Sequence, residues 1–168
     1  MYFRLIIFYL FIIMACAENN ESSNLEIPLR SEIDSKYKWD LTAVYATDAE
    51  WELDLEKLKN LYPEMGDFKG RLLSNPETLL ESIKLSETIN QYFGKLYHYA
   101  SNSLNADLTN EKYQEMVQRV RNVAIKSGEV TAYYTPEMLE SDYSVLEDFM
   151  NREPGLKVYE KDFKDMYI

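Results

Sequence analysis

Apolar residues recur at helical intervals over most of the chain. Leu53, Leu55, Leu58, Leu61 and Tyr62 predict a first helix, ending before Pro63 and Gly66. Ile89, Phe93, Leu96 and Ala100 then follow at steps of four, three and four. Further on, Tyr113, Val117, Val120, Ala124, Ser127, Thr131 and Tyr134 alternate steps of four and three. Such steps keep side chains on one helix face, which buries against a neighbour. The link Asn105 to Thr109 is short, so the second and third helices are expected to pair as an antiparallel hairpin. Ala100, Ser103, Ala124 and Ser127 would let the two backbones approach closely. No period of two competes and no internal repeat is present. The expected fold is all-α, an antiparallel helical bundle or hairpin array.

Helix starts are marked as well. Thr47-Asp48-Ala49-Glu50, Ser74-Asn75-Pro76-Glu77 and Ser144-Val145-Leu146-Glu147 each match the capping box, in which a hydroxyl and a glutamate satisfy free backbone donors. Pro76, Pro136 and Pro154 suit first turns, where no N–H is needed. Pro154 predicts a last helix whose apolar face comprises Leu156, Tyr159, Phe163 and Met166. The sequence stops at Ile168 with no evident partner for that face, and the expectation drawn here is a domain cut short. Lys36 to Trp51 holds both tryptophans, Trp39 and Trp51, and both are expected as buried anchors where the domain begins.

The first residues break the helical pattern. Leu5 to Ala17 is uncharged and follows a single Arg4. Its thirteen residues fall short of the roughly 20 needed to span a bilayer but suit the core of a secretory signal peptide. Ile13-Met14-Ala15-Cys16 resembles a bacterial lipobox, and Ala15-Cys16-Ala17 also fits ordinary cleavage. Cys16 is the only cysteine, so no internal disulfide can form. A lipid attached at Cys16 explains its position better than an exported free thiol does. The expected organisation is a lipoprotein signal peptide over 1–15, a lipidated cysteine and polar tether over 16–35, and a helical domain over 36–168, incomplete at its C-terminus. That places the protein at a bacterial envelope membrane, held through the lipid on Cys16. A secreted or periplasmic form is the alternative.

Composition narrows the function. A formal charge of −11, spread along the chain, gives nucleic acid no basic surface. With 46% apolar residues and only five Gly and five Pro, the chain suits packed helices. His98 is the only histidine, so a zinc site with several His or Cys ligands cannot be assembled. No Gly-x-Ser-x-Gly elbow or glycine-rich phosphate loop is present. Carboxylate pairs such as Asp54 with Glu56 and Glu140 with Asp142 are ordinary on acidic helix faces. Leu85, Tyr92 and Tyr99 recur seven apart beside the main seam, and that stripe reads first as core. If partly exposed, Tyr92 and Tyr99 would line a peptide groove with rings and hydroxyls.

Several blocks resemble a known family. Ser31-Glu32-Ile33-Asp34-Ser35-Lys36-Tyr37-Lys38-Trp39-Asp40-Leu41, then Val44-Tyr45 and Asp48-x-x-Trp51, resemble the N-terminal segment of oligoendopeptidase F. That enzyme belongs to the thimet-oligopeptidase-like zinc metallopeptidases. The likeness continues through Phe68-Lys69-Gly70-Arg71-Leu72, Leu96-Tyr97-His98-Tyr99-Ala100, Asn110-x-x-Tyr113-Gln114 and Tyr134-Thr135-Pro136-Glu137. It implies an all-helical N-terminal domain walling one side of a deep substrate channel. It also implies a parent enzyme in which a His-Glu-x-x-His helix binds zinc and cleaves oligopeptides. That motif is absent from these 168 residues, so no catalytic or metal-binding residue carries over and the chain alone is expected to be inactive. A free-standing, lipid-anchored helical module that binds peptide or protein is the alternative, and a non-functional remnant is a third reading.

Overall fold

The computed structural model describes residues 27–168, and the expected signal peptide, Cys16 and most of the expected polar tether lie outside the described residues. Two units are distinguished, one running through Lys38 and one from Trp39 to Ile168. The described part of the first carries two 3-10 turns, Arg30–Glu32 and Ser35–Tyr37, with no buried residue. Asp34 caps the second turn by accepting from the backbone N–H of Lys36 at 3.0 Å.

The second unit opens with a 3-10 turn, Leu41–Ala43, capped by Asp40, whose carboxylate accepts from the Thr42 N–H at 3.0 Å. Helix α1 follows, Asp48–Leu61. Thr47 is its N-cap as expected, and Glu50 reaches back to the Ala46 N–H at 3.0 Å. Trp51, Leu55 and Leu58 are the buried face of α1, at steps of four and three. Leu53 was expected on that face but is 64% exposed, because two residues from Trp51 or Leu55 is the far side of a helix. A 3-10 helix, Tyr62–Phe68, continues the chain, and its buried Tyr62, Met65 and Phe68 recur every three residues, the period of that helix.

Helix α2 is the longest element, Pro76–Ala106, 31 residues. Pro76 sits in its first turn, but the cap is Asn75, accepting from Thr78 N–H at 2.8 Å, and not Ser74. Residues 107–110 connect α2 to helix α3, Glu111–Thr131, which Asn110 caps. The expected hairpin is present, with Ala100 and Ser103 buried on its seam. Three short helices complete the unit: α4, Tyr134–Leu139; α5, Tyr143–Arg152; and α6, Glu160–Met166. The 3-10 helix Pro154–Tyr159 joins the last two. The capping box expected at Ser144 is not formed, because α5 already begins at Tyr143 and its N-cap, Asp142, makes no side-chain cap. Among the described residues there is no strand, and the fold is all-α.

Two hydrophobic clusters hold the unit together. The first joins Tyr45, Trp51, Leu55 and Leu58 to Ile89, Leu96, Ala100, Val117 and Val120. The second joins Phe68, Leu72, Leu79, Leu80 and Ile83 to Met138, Leu146, Phe149, Leu156 and Phe163. Helix α2 serves both, its first turns in the second cluster and its later turns in the first. Leu85 and Tyr134 pack against each of them.

Two expectations are corrected here. Trp39 is 72% exposed, so only Trp51, 0% exposed, is a buried indole. The Trp51 Nε1–H donates to the carbonyl of Leu96 at 2.9 Å, fixing α1 against the C-terminal half of α2. The C-terminal apolar face is not left wet either. Leu156 is 0% and Phe163 4% exposed, both inside the second cluster, with Tyr159 and Met166 half-buried beside them. The Tyr167 hydroxyl donates to Met138 O at 2.5 Å and Ser141 O at 3.0 Å, tying the end of the chain to the turn between α4 and α5.

Candidate functional site

A cleft of about 530 Å³ lies between the loop that precedes α2 and the segment around α4. Its loop side is formed by Lys69, Gly70, Arg71, Leu73 and Ser74, and its other side by Tyr133, Pro136, Glu137, Glu140 and Ser141. The loop takes its shape from Gly70, at φ 77°, a left-handed conformation that a side chain disfavours. The turn aims two backbone N–H groups at one carboxylate. Glu137 accepts from Gly70 N at 2.8 Å and from Leu72 N at 2.6 Å. Beside it the Tyr133 hydroxyl donates to the carbonyl of Met65 at 2.5 Å. Burial, reinforced by the charge of Glu137, pushes the Tyr133 phenol up to about 12.

These bonds limit what the cleft can do. The Glu137 carboxylate is occupied by two amides and the Tyr133 proton is held by a carbonyl, so neither is poised as an acid or base. Lys69, Arg71 and Glu140 are exposed and form no ion pair among the described residues, so both signs of charge stand at the rim.

The residues singled out from sequence lie elsewhere. Tyr99 is buried in the first cluster, its ring 5.4 Å from Tyr45 and edge-on to it. Its hydroxyl donates to Asp48 at 2.7 Å. Tyr92 is half-buried against the same cluster, with Lys57 Nζ 5.9 Å from its ring centre, and Leu85 is half-buried too. His98 is exposed, its ring 6.1 Å from that of Tyr97. Asp54 and Glu56 are not a pair: Asp54 accepts from the Tyr45 hydroxyl at 3.0 Å and from Lys57 at 2.9 Å, while Glu56 accepts from Lys59. Burial opposes the Asp54 charge, but Lys57 and the Tyr45 hydroxyl outweigh it and hold the carboxyl below its usual range.

Among the described residues no group of three or more His, Cys, Asp or Glu side chains could hold a metal ion. Nor is any helix among them long and apolar enough to cross a membrane. Sequence reasoning had not assembled the cleft. The available signal was the pair of blocks Phe68–Leu72 and Tyr134–Glu137, which the Glu137 clamp brings together.

Fold and cleft define the class: an all-helical domain built on two clusters around one long helix, with an open cleft beside the start of that helix. No family model matches the chain. It is 33% identical over 138 residues to group B oligopeptidase PepB of Streptococcus agalactiae serotype III (strain NEM316), covering 82% of this chain and 23% of that protein. It is 35% identical over 139 residues to the plasmid-encoded oligoendopeptidase F of Lactococcus lactis subsp. cremoris, with the same coverage. The fold matches the crystal structure of a peptidase from Chlamydophila abortus, with a TM-score of 0.71 at 24% identity, over 82% of this chain and 23% of that one. It also matches the crystal structure of oligoendopeptidase-F from Enterococcus faecium, with a TM-score of 0.65 at 21% identity, over 72% of this chain and 24% of that one. The chain belongs to the oligoendopeptidase F family. It spans about a quarter of the length of the relatives it matches, 23% in the first two.

Proposed function

We propose that these residues are the N-terminal, channel-walling helical domain of an exported oligoendopeptidase F-like enzyme that cleaves oligopeptides with zinc-activated water. The observation that carries this reading is the 33–35% identity to two named oligopeptidases over 82% of the chain. The zinc does not fit the donors in this sequence, whose sole histidine, His98, is exposed on the outside of α2. No catalytic step is therefore assigned to this chain, and it is inactive by itself. Incubating the purified chain with zinc and an internally quenched oligopeptide tests that: no turnover is expected, and chelator-sensitive turnover overturns it.

The export part of the reading rests on Arg4, the apolar run Leu5 to Ala17 and the lipobox-like Ile13-Met14-Ala15-Cys16. In this proposal Cys16 carries lipid and anchors the protein to an envelope membrane. Metabolic labelling with a fatty-acid analogue should tag the protein, and labelling that survives Cys16→Ala rules the anchor out.

A second reading is a free-standing, lipid-anchored helical module for peptide or protein. The docking of Leu156 and Phe163 into the second cluster favours it, because that apolar face is covered within these residues. A melt followed by light scattering separates the two readings. A cooperative, monodisperse transition supports the module, and association or dye binding before the transition supports the enzyme domain.

A further inference from the structure

A groove of about 280 Å³ runs between the C-terminal end of α1 and the flank of α3, lined by Lys59, Tyr62, Arg119, Asn122, Val123 and Lys126. Arg119, Asn122 and Lys126 stand three and four residues apart, so one face of α3 presents all three. The lining has three cationic side chains and no carboxylate, in a chain whose formal charge is −11. Beneath them Tyr62 and Val123 are buried and give the groove an apolar floor.

The polar groups are held to different degrees. Arg119 makes a bidentate pair with Glu52 at 2.6 and 2.5 Å and lies 5.3 Å from the ring centre of Trp51. Its plane is thereby fixed. Lys59 bonds Glu56 at 2.6 Å. Lys126 has no ion pair or hydrogen bond among the described residues. Asn122 accepts from Gln118 through its amide oxygen at 2.9 Å, and its two side-chain amide N–H groups have no partner among the described residues. One turn of α3 thus offers a free ammonium and a free amide donor, with a rigid guanidinium on one side and an apolar floor below.

We propose that this groove binds an acidic peptide segment. A carboxylate of the segment accepts from Lys126 and Asn122, and a neighbouring apolar side chain rests on Tyr62 and Val123. A charge-assisted hydrogen bond is stronger than a neutral one. A nucleic acid would need a run of cations along its backbone, whereas two of the three cations here are already bonded to carboxylates and only Lys126 is left for a single acidic group. The inference stands apart from the peptidase reading, since it requires no catalytic residue.

The test uses the full 168-residue chain carrying Trp39→Phe, which leaves Trp51, under the Arg119 guanidinium, as the only indole. The probes are the end-capped pentapeptide Ala-Leu-Asp-Glu-Ala, its amide analogue Ala-Leu-Asn-Gln-Ala, sodium acetate and a short oligothymidylate. Binding is read by calorimetry and by Trp51 emission. The acidic peptide should bind at least about tenfold more tightly than the amide analogue, and added salt should weaken it. Lys126→Glu and the milder Lys126→Gln should each reduce that affinity, with helicity unchanged by circular dichroism. Lys157→Glu, at an exposed lysine outside the groove, should leave it intact. Equal binding of the two peptides overturns the proposal, as does unchanged affinity in both Lys126 variants. Acetate competing at the concentration of the peptide reduces the groove to a bare anion site and overturns it too. So does preferential binding of the oligothymidylate.

Discussion

Glu137 reaches across 65 residues of sequence to accept the backbone N–H of Leu72 at 2.6 Å, and the same carboxylate takes Gly70 N–H at 2.8 Å. One side chain from α4 closes a loop that has no regular structure of its own. Glu137→Ala strands both amides, one of them partly buried, and should cost about 1–3 kcal/mol. Glu137→Gln keeps one acceptor oxygen and should cost less. Urea denaturation of the three proteins checks the order, and an alanine variant as stable as the parent would mean the clamp is ornamental.

Gly70, on the other side of that clamp, is at φ 77° with open space around its Cα. Gly70→Ala meets no neighbour, so its cost is the backbone penalty alone, about 1–2 kcal/mol. Gly70→Asn should be milder, since asparagine tolerates this conformation. Paired thermal melts decide the point, and alanine melting with the parent would refute the backbone argument.

The two tryptophans should behave as opposites. Trp51→Phe removes the donor to Leu96 O and should cost about 1 kcal/mol, whereas Trp51→Ala empties a core position and should cost about 3–5 kcal/mol. Trp39→Ala should stay within about 0.5 kcal/mol of the parent. Acrylamide should quench the emission of Trp39 and spare that of Trp51.

The docking of the C-terminal segment can be weighed at Leu156. Leu156→Ala should cost about 2–5 kcal/mol, and Val158→Ala, two residues away and exposed, close to nothing. Equal costs would show that the segment is not packed as described.

Stability should fall at both ends of the pH scale. Burial works against the Asp48 charge, but Lys112 and the Tyr99 hydroxyl outweigh it, so its folded pKa, like that of Asp54, is depressed. A depressed carboxyl contributes stability that is fully present above the unfolded value near 3.9, and loses it as pH falls through the folded one. The tyrosines run the other way. Burial first, then Asp54 and Asp48, raise Tyr45 and Tyr99, and Tyr133 rises to about 12. Their contribution is whole below about 10 and is lost as pH climbs through the raised values. Denaturation midpoints across pH 2–12 should show both edges. Asp48→Asn and Asp54→Asn together should flatten the acid edge.

The elements were legible where local chemistry decides them. Thr47 with Glu50, Pro76 and the hairpin of α2 and α3 could be read because a cap or a 3.6-residue period is written in neighbouring residues. The failures have a common cause. Trp39 and Leu53 have the composition of core residues, but burial depends on what packs over them. Leu156 and Phe163 looked unpartnered because their partners, Leu79, Leu80 and Leu146, belong to other helices of the second cluster. The cleft was hidden for the same reason, since nothing in Phe68–Leu72 or Tyr134–Glu137 announces that they meet.

Helix α2 has a mechanical consequence. Its 31 residues make a rod roughly 46 Å long, planted at one end beside the Gly70 loop and riveted about two-thirds of the way along by the Trp51 indole at Leu96. A tilt of about 5° about that rivet moves the longer, N-terminal arm by about 3 Å and the shorter arm by about 1 Å. One continuous helix thus begins beside the cleft and ends in the turn of the hairpin, so the two share a single rigid element.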